Sequence, residues 1–106
     1  MKTPEEIKAI EAQVWNILKF VIDPEVEVNI VDMGLIYKVV YDGNKKFAIT
    51  MTLSTPACPI GDAIMLNVKE AILAKFAGYE VDVELTFDPP WTPDMVSEAG
   101  KVILGM

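Results

Sequence analysis

A chain of 106 residues, 52% of them hydrophobic, has room for one packed domain and not for two, and its apolar content excludes disorder as the default. Sixteen acidic residues against nine lysines leave a formal charge of −7 with no arginine, so a nucleic-acid backbone would meet repulsion and find no bidentate fork. Histidine is absent and cysteine occurs once, which excludes His-based catalysis, His-based metal sites and an internal disulfide, and points to a reducing, cytoplasmic setting.

The opening MKTPEEIKAIE is charged and unlike the apolar stretch of a secretory leader, and no apolar run reaches the ~18 residues that cross a bilayer. Thr3-Pro4-Glu5-Glu6 reads as a helix start, with Thr3 as cap, Pro4 in the first turn and Glu6 closing a capping box. Ile7, Ile10, Val14, Ile17, Leu18 and Val21 recur at helical spacing, and Asp23-Pro24 is expected to end that helix. Residues Glu25 to Gly34 read as an irregular apolar loop. Leu35 to Tyr41 and Lys46 to Leu53 then form a β-hairpin around Asp42-Gly43-Asn44-Lys45, with Phe47, Ile49, Met51 and Leu53 on one face.

After the loop Ser54 to Gly61, a second helix is predicted from Asp62 to Ala77, stopped by Gly78, with Ile64, Met65, Val68, Ile72 and Phe76 inward. A third strand follows over Glu80 to Phe87, with Val81, Val83, Leu85 and Phe87 expected to face the core. Asp88-Pro89-Pro90-Trp91 is a rigid loop. Thr92-Pro93-Asp94 repeats the cap-then-proline signal and opens a short final helix to Leu104. The order α-β-β-α-β-α predicts a single small α/β (α+β) domain over residues 1–106, a mixed three-stranded sheet with helices packed on it.

This order has a consequence for function. A strand-helix-strand unit from Lys46 to Phe87 within one sheet makes its strands parallel, so their C-terminal ends share an edge. The antiparallel hairpin brings the start of the first strand to the same edge. Three loops then meet there: one with Asp32, one with Thr55 and Cys58, and one with Asp88 and Trp91.

Each of these residues carries two readings. Cys58 stands between two prolines just before the second helix, where a helix N-terminus favours a thiolate; the bland alternative is a buried structural cysteine. Asp23, Asp32 and Asp88 could bind a hard cation or tune a thiol, but each, taken singly, reads first as a turn or cap residue. Asp32, which interrupts an apolar stretch, is the least easily explained. Carboxylates beside Cys58 would oppose the helix-end effect, so its thiol is expected near the free value. Trp91 is either an exposed contact or a plug of the small core.

DPEVEVNIVDMGLIYKV (Asp23 to Val39), ITMTLSTPACPIGD (Ile49 to Asp62) and VELTFDPPWTPDMVSEAGKVILG (Val83 to Gly105) resemble, in order, the three signature blocks of the SufT/PaaD-like family of iron–sulfur cluster assembly proteins. That family includes a subunit of bacterial phenylacetate-oxygenase operons and the eukaryotic factor that delivers cytosolic clusters to apoproteins. The resemblance implies a carrier, scaffold or targeting factor, with the reactive cysteine at Cys58 and acidic positions at Asp32 and Asp23. The candidate cofactor-binding set is thus Cys58, Asp32, Asp23, Thr55 and Trp91, with Cys58 as metal ligand and no catalytic residue. The implied partners are other assembly proteins and recipient apoproteins, with no nucleic acid and no membrane.

Thiolate is the preferred ligand of an iron–sulfur cluster, yet a cluster normally takes four ligands and one chain offers a single thiol. A stable cluster on one chain is therefore disfavoured. A cluster shared across a homodimer, a shell completed by small thiols, or transient binding during delivery fits the ligand count. The leading expectation is an assembly or transfer factor, not an enzyme. The alternative is an accessory subunit that binds a metalloenzyme through protein contacts, with Cys58 structural. A thiol-dependent enzyme ranks last, since no histidine can activate Cys58.

Overall fold

The first helix begins with Thr3 as its cap, while the Glu6 carboxylate meets the Thr3 hydroxyl rather than the backbone N–H a capping box uses. The Thr3 hydroxyl accepts from the Glu6 N–H at 3.2 Å and donates to the Glu6 carboxylate at 3.2 Å, while Pro4 sits where a missing N–H costs nothing. This is helix α1 (Pro4–Leu18) in a computed structural model that describes residues 3–23, 27–53 and 61–105. Its apolar stripe buries Val14 and Leu18 completely.

The helix ends at Leu18, earlier than the expected stop at Asp23. A turn follows, with the N–H groups of Phe20 and Val21 donating to the carbonyls of Ile17 and Leu18. That turn returns Val21 to the core, 6% exposed, so its spacing imitates one more helical step. The chain leaves the helix because Ile22 and Asp23 are needed as a strand. β1 (Ile22–Asp23) pairs antiparallel with β2 (Val28–Asn29), a small ladder inside the segment expected to be irregular.

β3 (Ile36–Tyr41) and β4 (Lys46–Met51) form the predicted hairpin. β5 (Glu80–Leu85) lies beside β4 and parallel to it, giving the mixed order β3-β4-β5. Helix α2 (Gly61–Lys75) makes the crossover and packs with α1 on one face of the sheet. Phe47, Ile49 and Met51 are fully buried beneath the helices, together with Val68 and Ile72 of α2. The opposite face, with Lys38, Ala48, Asp82 and Glu84, is exposed. Among the described residues no helix is long and apolar enough to cross a membrane.

Two expectations need correction. Leu85 and Phe87 were expected in the core but are 37% and 40% exposed. Their alternation with the buried Val81 holds, but Leu85 ends β5 and Phe87 lies past it, on a strand that among the described residues has a neighbour on one side only. The final helix is also two pieces. Thr92 makes no side-chain cap bond, and Pro93–Met95 is a single 3-10 turn. Val96 then turns extended and is buried, and Ser97 caps helix α3 (Glu98–Leu104) by accepting from the Gly100 N–H at 3.1 Å.

Candidate functional site

Asp32 sits in the turn that links β2 to β3. The Met33 N–H donates to the Asn29 carbonyl at 3.0 Å, the Gly34 N–H to Val31 at 3.0 Å and the Leu35 N–H to Ile30 at 3.1 Å. Gly34 closes the turn at φ +78, and a side chain there would run into the Met95 backbone. Glycine is required on both counts.

Within that turn the Asp32 carboxylate is held from two sides. The Asn29 amide donates to Oδ2 at 2.6 Å, and the Ser97 hydroxyl donates to Oδ1 at 2.8 Å. The backbone joins in, since the Asp32 N–H donates to Asn29 Oδ1 at 2.8 Å and the Ser97 N–H to the Asp32 carbonyl at 2.7 Å. The Asn29 amide, and then the Ser97 hydroxyl, hold the Asp32 carboxyl below the ordinary carboxylate value. Burial opposes them, and the Lys19 ammonium adds a smaller downward pull. One hydroxyl thus ties the Asp32 turn to the start of α3.

The Trp91 segment docks on the same turn. Its indole Nε1–H donates to the Met33 carbonyl at 2.6 Å, and its half-buried ring packs against the core. The Tyr37 hydroxyl donates to the Pro89 carbonyl at 2.7 Å, with the Met95 sulfur 3.7 Å away. The sheet leads to this place. The Thr52 N–H donates to the Leu35 carbonyl at 2.8 Å and the Thr86 N–H to the Met51 carbonyl at 2.9 Å, so the ends of β4 and β5 and the start of β3 share one edge. Two of the three expected loops, those of Asp32 and Trp91, are therefore joined there by direct bonds.

Cys58 and Thr55 lie outside the described residues, within the segment 54–60 that leaves this edge after Leu53 and leads into α2. Asp23 is 3% exposed on β1, opposite Val28, and its carbonyl accepts from the Glu27 N–H at 2.8 Å. Asp88 is exposed, with its N–H donating to the Thr86 hydroxyl at 3.2 Å. Among the described residues no three cysteine or carboxylate side chains gather as a metal cage. Sequence reasoning missed Asn29, Ser97 and Tyr37. Asn29 stands three residues before Asp32, an Asx-turn signal, and Ser97 before Glu98-Ala99 is a cap signal; the pairing of Ser97 with Asp32 over 65 residues has no local trace.

Residues 11–88 match the model of a family described as iron-sulfur cluster assembly protein. The chain is 37% identical to the Fe-S protein maturation auxiliary factor of Porphyromonas gingivalis, over 94% of this chain and 95% of that one. It is 38% identical to the Fe-S protein maturation auxiliary factor SufT of Staphylococcus aureus, over 81% of this chain and 98% of that one. In three dimensions it matches a domain of unknown function from Bacillus anthracis with a TM-score of 0.93 at 33% identity, covering 98% of this chain and 99% of that chain.

Proposed function

The chain belongs to the family of iron–sulfur cluster assembly proteins, and from that membership we propose that it is an assembly or transfer factor that offers Cys58 as a thiolate to a cluster in transit. The observation that carries this reading is the bonded edge. Asp32, Met33, Trp91 and Ser97 lock together where β4 ends, and the chain leaves that same edge toward Cys58. A functional loop needs a fixed base, and this base is tied by directional bonds rather than by apolar contact alone.

In this reading Asp32 and Trp91 are positioning residues. The Asp32 carboxylate is spent on Asn29 and Ser97, which suits a brace better than a ligand. The cluster is cargo. With one thiol per chain and no histidine, its remaining ligands come from a second copy, from small thiols or from the recipient. Asp23 and Thr55 complete the candidate set, and the setting is a reducing cytoplasm. The near-full-length relatives carry the names of auxiliary factors rather than catalysts, which supports a role without turnover.

Anaerobic reconstitution with ferrous iron and sulfide tests the proposal. The wild-type chain is expected to gain cluster absorbance and pass it to an apo-ferredoxin, and Cys58→Ser to lose both while keeping its circular dichroism. Alkylation of the native chain should label Cys58. A thiol that reacts only after denaturation, in a chain whose serine variant still delivers clusters, makes Cys58 structural and favours an accessory subunit acting through protein contacts.

A further inference from the structure

β5 is an edge strand. The N–H groups of Glu80 and Thr86 donate toward β4, to the carbonyls of Lys45 and Met51 at 2.8 and 2.9 Å. The period of two in a parallel ladder then turns the backbone groups of Val81, Val83 and Leu85 away from β4. Among the described residues no other strand lies on that side of the sheet. Such a row of N–H and C=O groups is a template for a further strand.

The space beside the row is already shaped. A groove of about 420 Å³ runs between β5 and α2, lined by Val81, Asp82 and Val83 of the strand and by Met65, Leu66 and Lys69 of the helix. A recess of about 370 Å³ continues it past Leu73 to Tyr79. Leu66 stands 54% exposed on the helix wall, and Leu85 extends the strand wall at 37%. An extended segment laid along β5 would place alternate side chains in this groove and the others over the open face of the sheet.

Charge selects the occupant. On the open face β5 presents Glu80, Asp82 and Glu84 in a row, all exposed. Lys46 of β4 meets Asp82 at 3.2 Å, and the carboxylates around that lysine raise its pKa, while β5 itself carries three carboxylates and no lysine. A second copy of the chain pairing edge to edge would set acidic row beside acidic row, which is unfavourable across a ladder. A segment with lysine or arginine at alternate positions and apolar residues between matches both faces.

We propose that β5 and α2 form a strand-addition site for an extended segment of a partner protein that alternates basic and apolar residues. Neither Asp32 nor Trp91 lines this groove, although β5 finishes at their edge, and the inference is independent of the role of Cys58.

The test uses the isotope-labelled full chain and three end-blocked hexapeptides: alternating lysine and valine, alternating glutamate and valine, and the lysine peptide N-methylated on the amides that would pair. The lysine peptide is expected to shift the amides of Val81, Val83 and Leu85 and to slow their hydrogen exchange. The glutamate and N-methylated peptides should each bind about tenfold more weakly or worse. Glu80→Lys with Glu84→Lys, both on exposed positions, should reverse the preference toward the glutamate peptide. Equal binding of all three peptides, shifts confined to other surfaces, or a free chain that already dimerises through β5 would overturn the proposal.

Discussion

The two ends of the sheet are closed by different physics. Where β4 and β5 begin, the core is closed by rings: Tyr41 stacks on Phe47 with centroids 4.8 Å apart, Phe76 meets Phe47 edge-on at 5.1 Å, and Tyr79 lies against Phe47 at 5.6 Å. Where those strands finish, closure is by single bonds between distant residues: Trp91 to Met33, Tyr37 to Pro89 and Ser97 to Asp32, over 58, 52 and 65 positions. Ring packing is roughly proportional to buried area and tolerates small displacements. Hydrogen bonds lose strength over a few tenths of an ångström or a few tens of degrees, so they fix orientation as well as proximity. The aromatic end supplies stability, and the bonded end supplies position.

The largest effect that breaks this contrast comes from Phe47→Ala. Phe47 is fully buried and touches three other rings, so the truncation should cost about 3–5 kcal/mol of unfolding free energy in a urea titration. The folded fraction should keep the Trp91 indole resonance unchanged, because the bonded end shares none of these rings. A loss near 1 kcal/mol, on the order of one hydrogen bond, would mean that the rings do not hold that end.

This contrast also explains what the chain discloses from its residues alone. The aromatic end is written in local periodicity: Phe47 falls on the strand alternation with Ile49 and Met51, and Phe76 on the helical spacing with Ile72. The parallel pairing of β4 and β5 follows from the handed crossover through α2, and it carries the meeting of the Asp32 and Trp91 loops with it. What stays hidden is tertiary. The end of α1 is masked because Val21 satisfies helical spacing from a turn. The exposure of Leu85, at the end of an edge strand, is not encoded in strand parity. Ser97 becomes the cap of α3, in place of Thr92, because its hydroxyl also has Asp32 to bind, and that partner is visible only after folding.

An intermediate effect sharpens the contrast through pH. Asp32→Asn turns an amide nitrogen toward one of two donors, Asn29 or Ser97, and should cost about 1–2 kcal/mol at pH 7. The folded carboxyl titrates below its ordinary value near 3.8, so its charged form is the one the fold favours. The stabilisation it supplies is complete above that ordinary value and is lost as pH falls through the lower folded one. The gap between wild type and Asp32→Asn should therefore close as pH is taken from 7 to well below 3.8, because a protonated Asp32 resembles the amide. The gap between wild type and Phe47→Ala should not move, since no titrating group is removed. Urea midpoints for the three proteins at both pH values decide it, and a constant Asp32→Asn gap would show that its bonds do not depend on charge.

The smallest effect decides what Trp91 is. Its ring is half-buried against the core, as a plug would be, and its indole N–H also donates to the Met33 carbonyl at 2.6 Å, as a clamp would. Trp91→Phe separates the two, because it keeps an aromatic ring and removes the donor. If the clamp matters, global stability should fall by about 1 kcal/mol, the usual worth of one such bond. The change should be larger locally. Met33 is 2% exposed, so its carbonyl has little access to solvent to replace the lost donor, and the turn that carries it should open more often. Faster hydrogen exchange is expected at Met33, Gly34 and Leu35, whose amides close that turn, with no change at Ile49 in the central strand. If exchange rises across the whole sheet and stability falls as far as in Phe47→Ala, Trp91 is a plug. Both ends of the sheet would then be held by apolar contact, with the Met33 bond incidental to the packing.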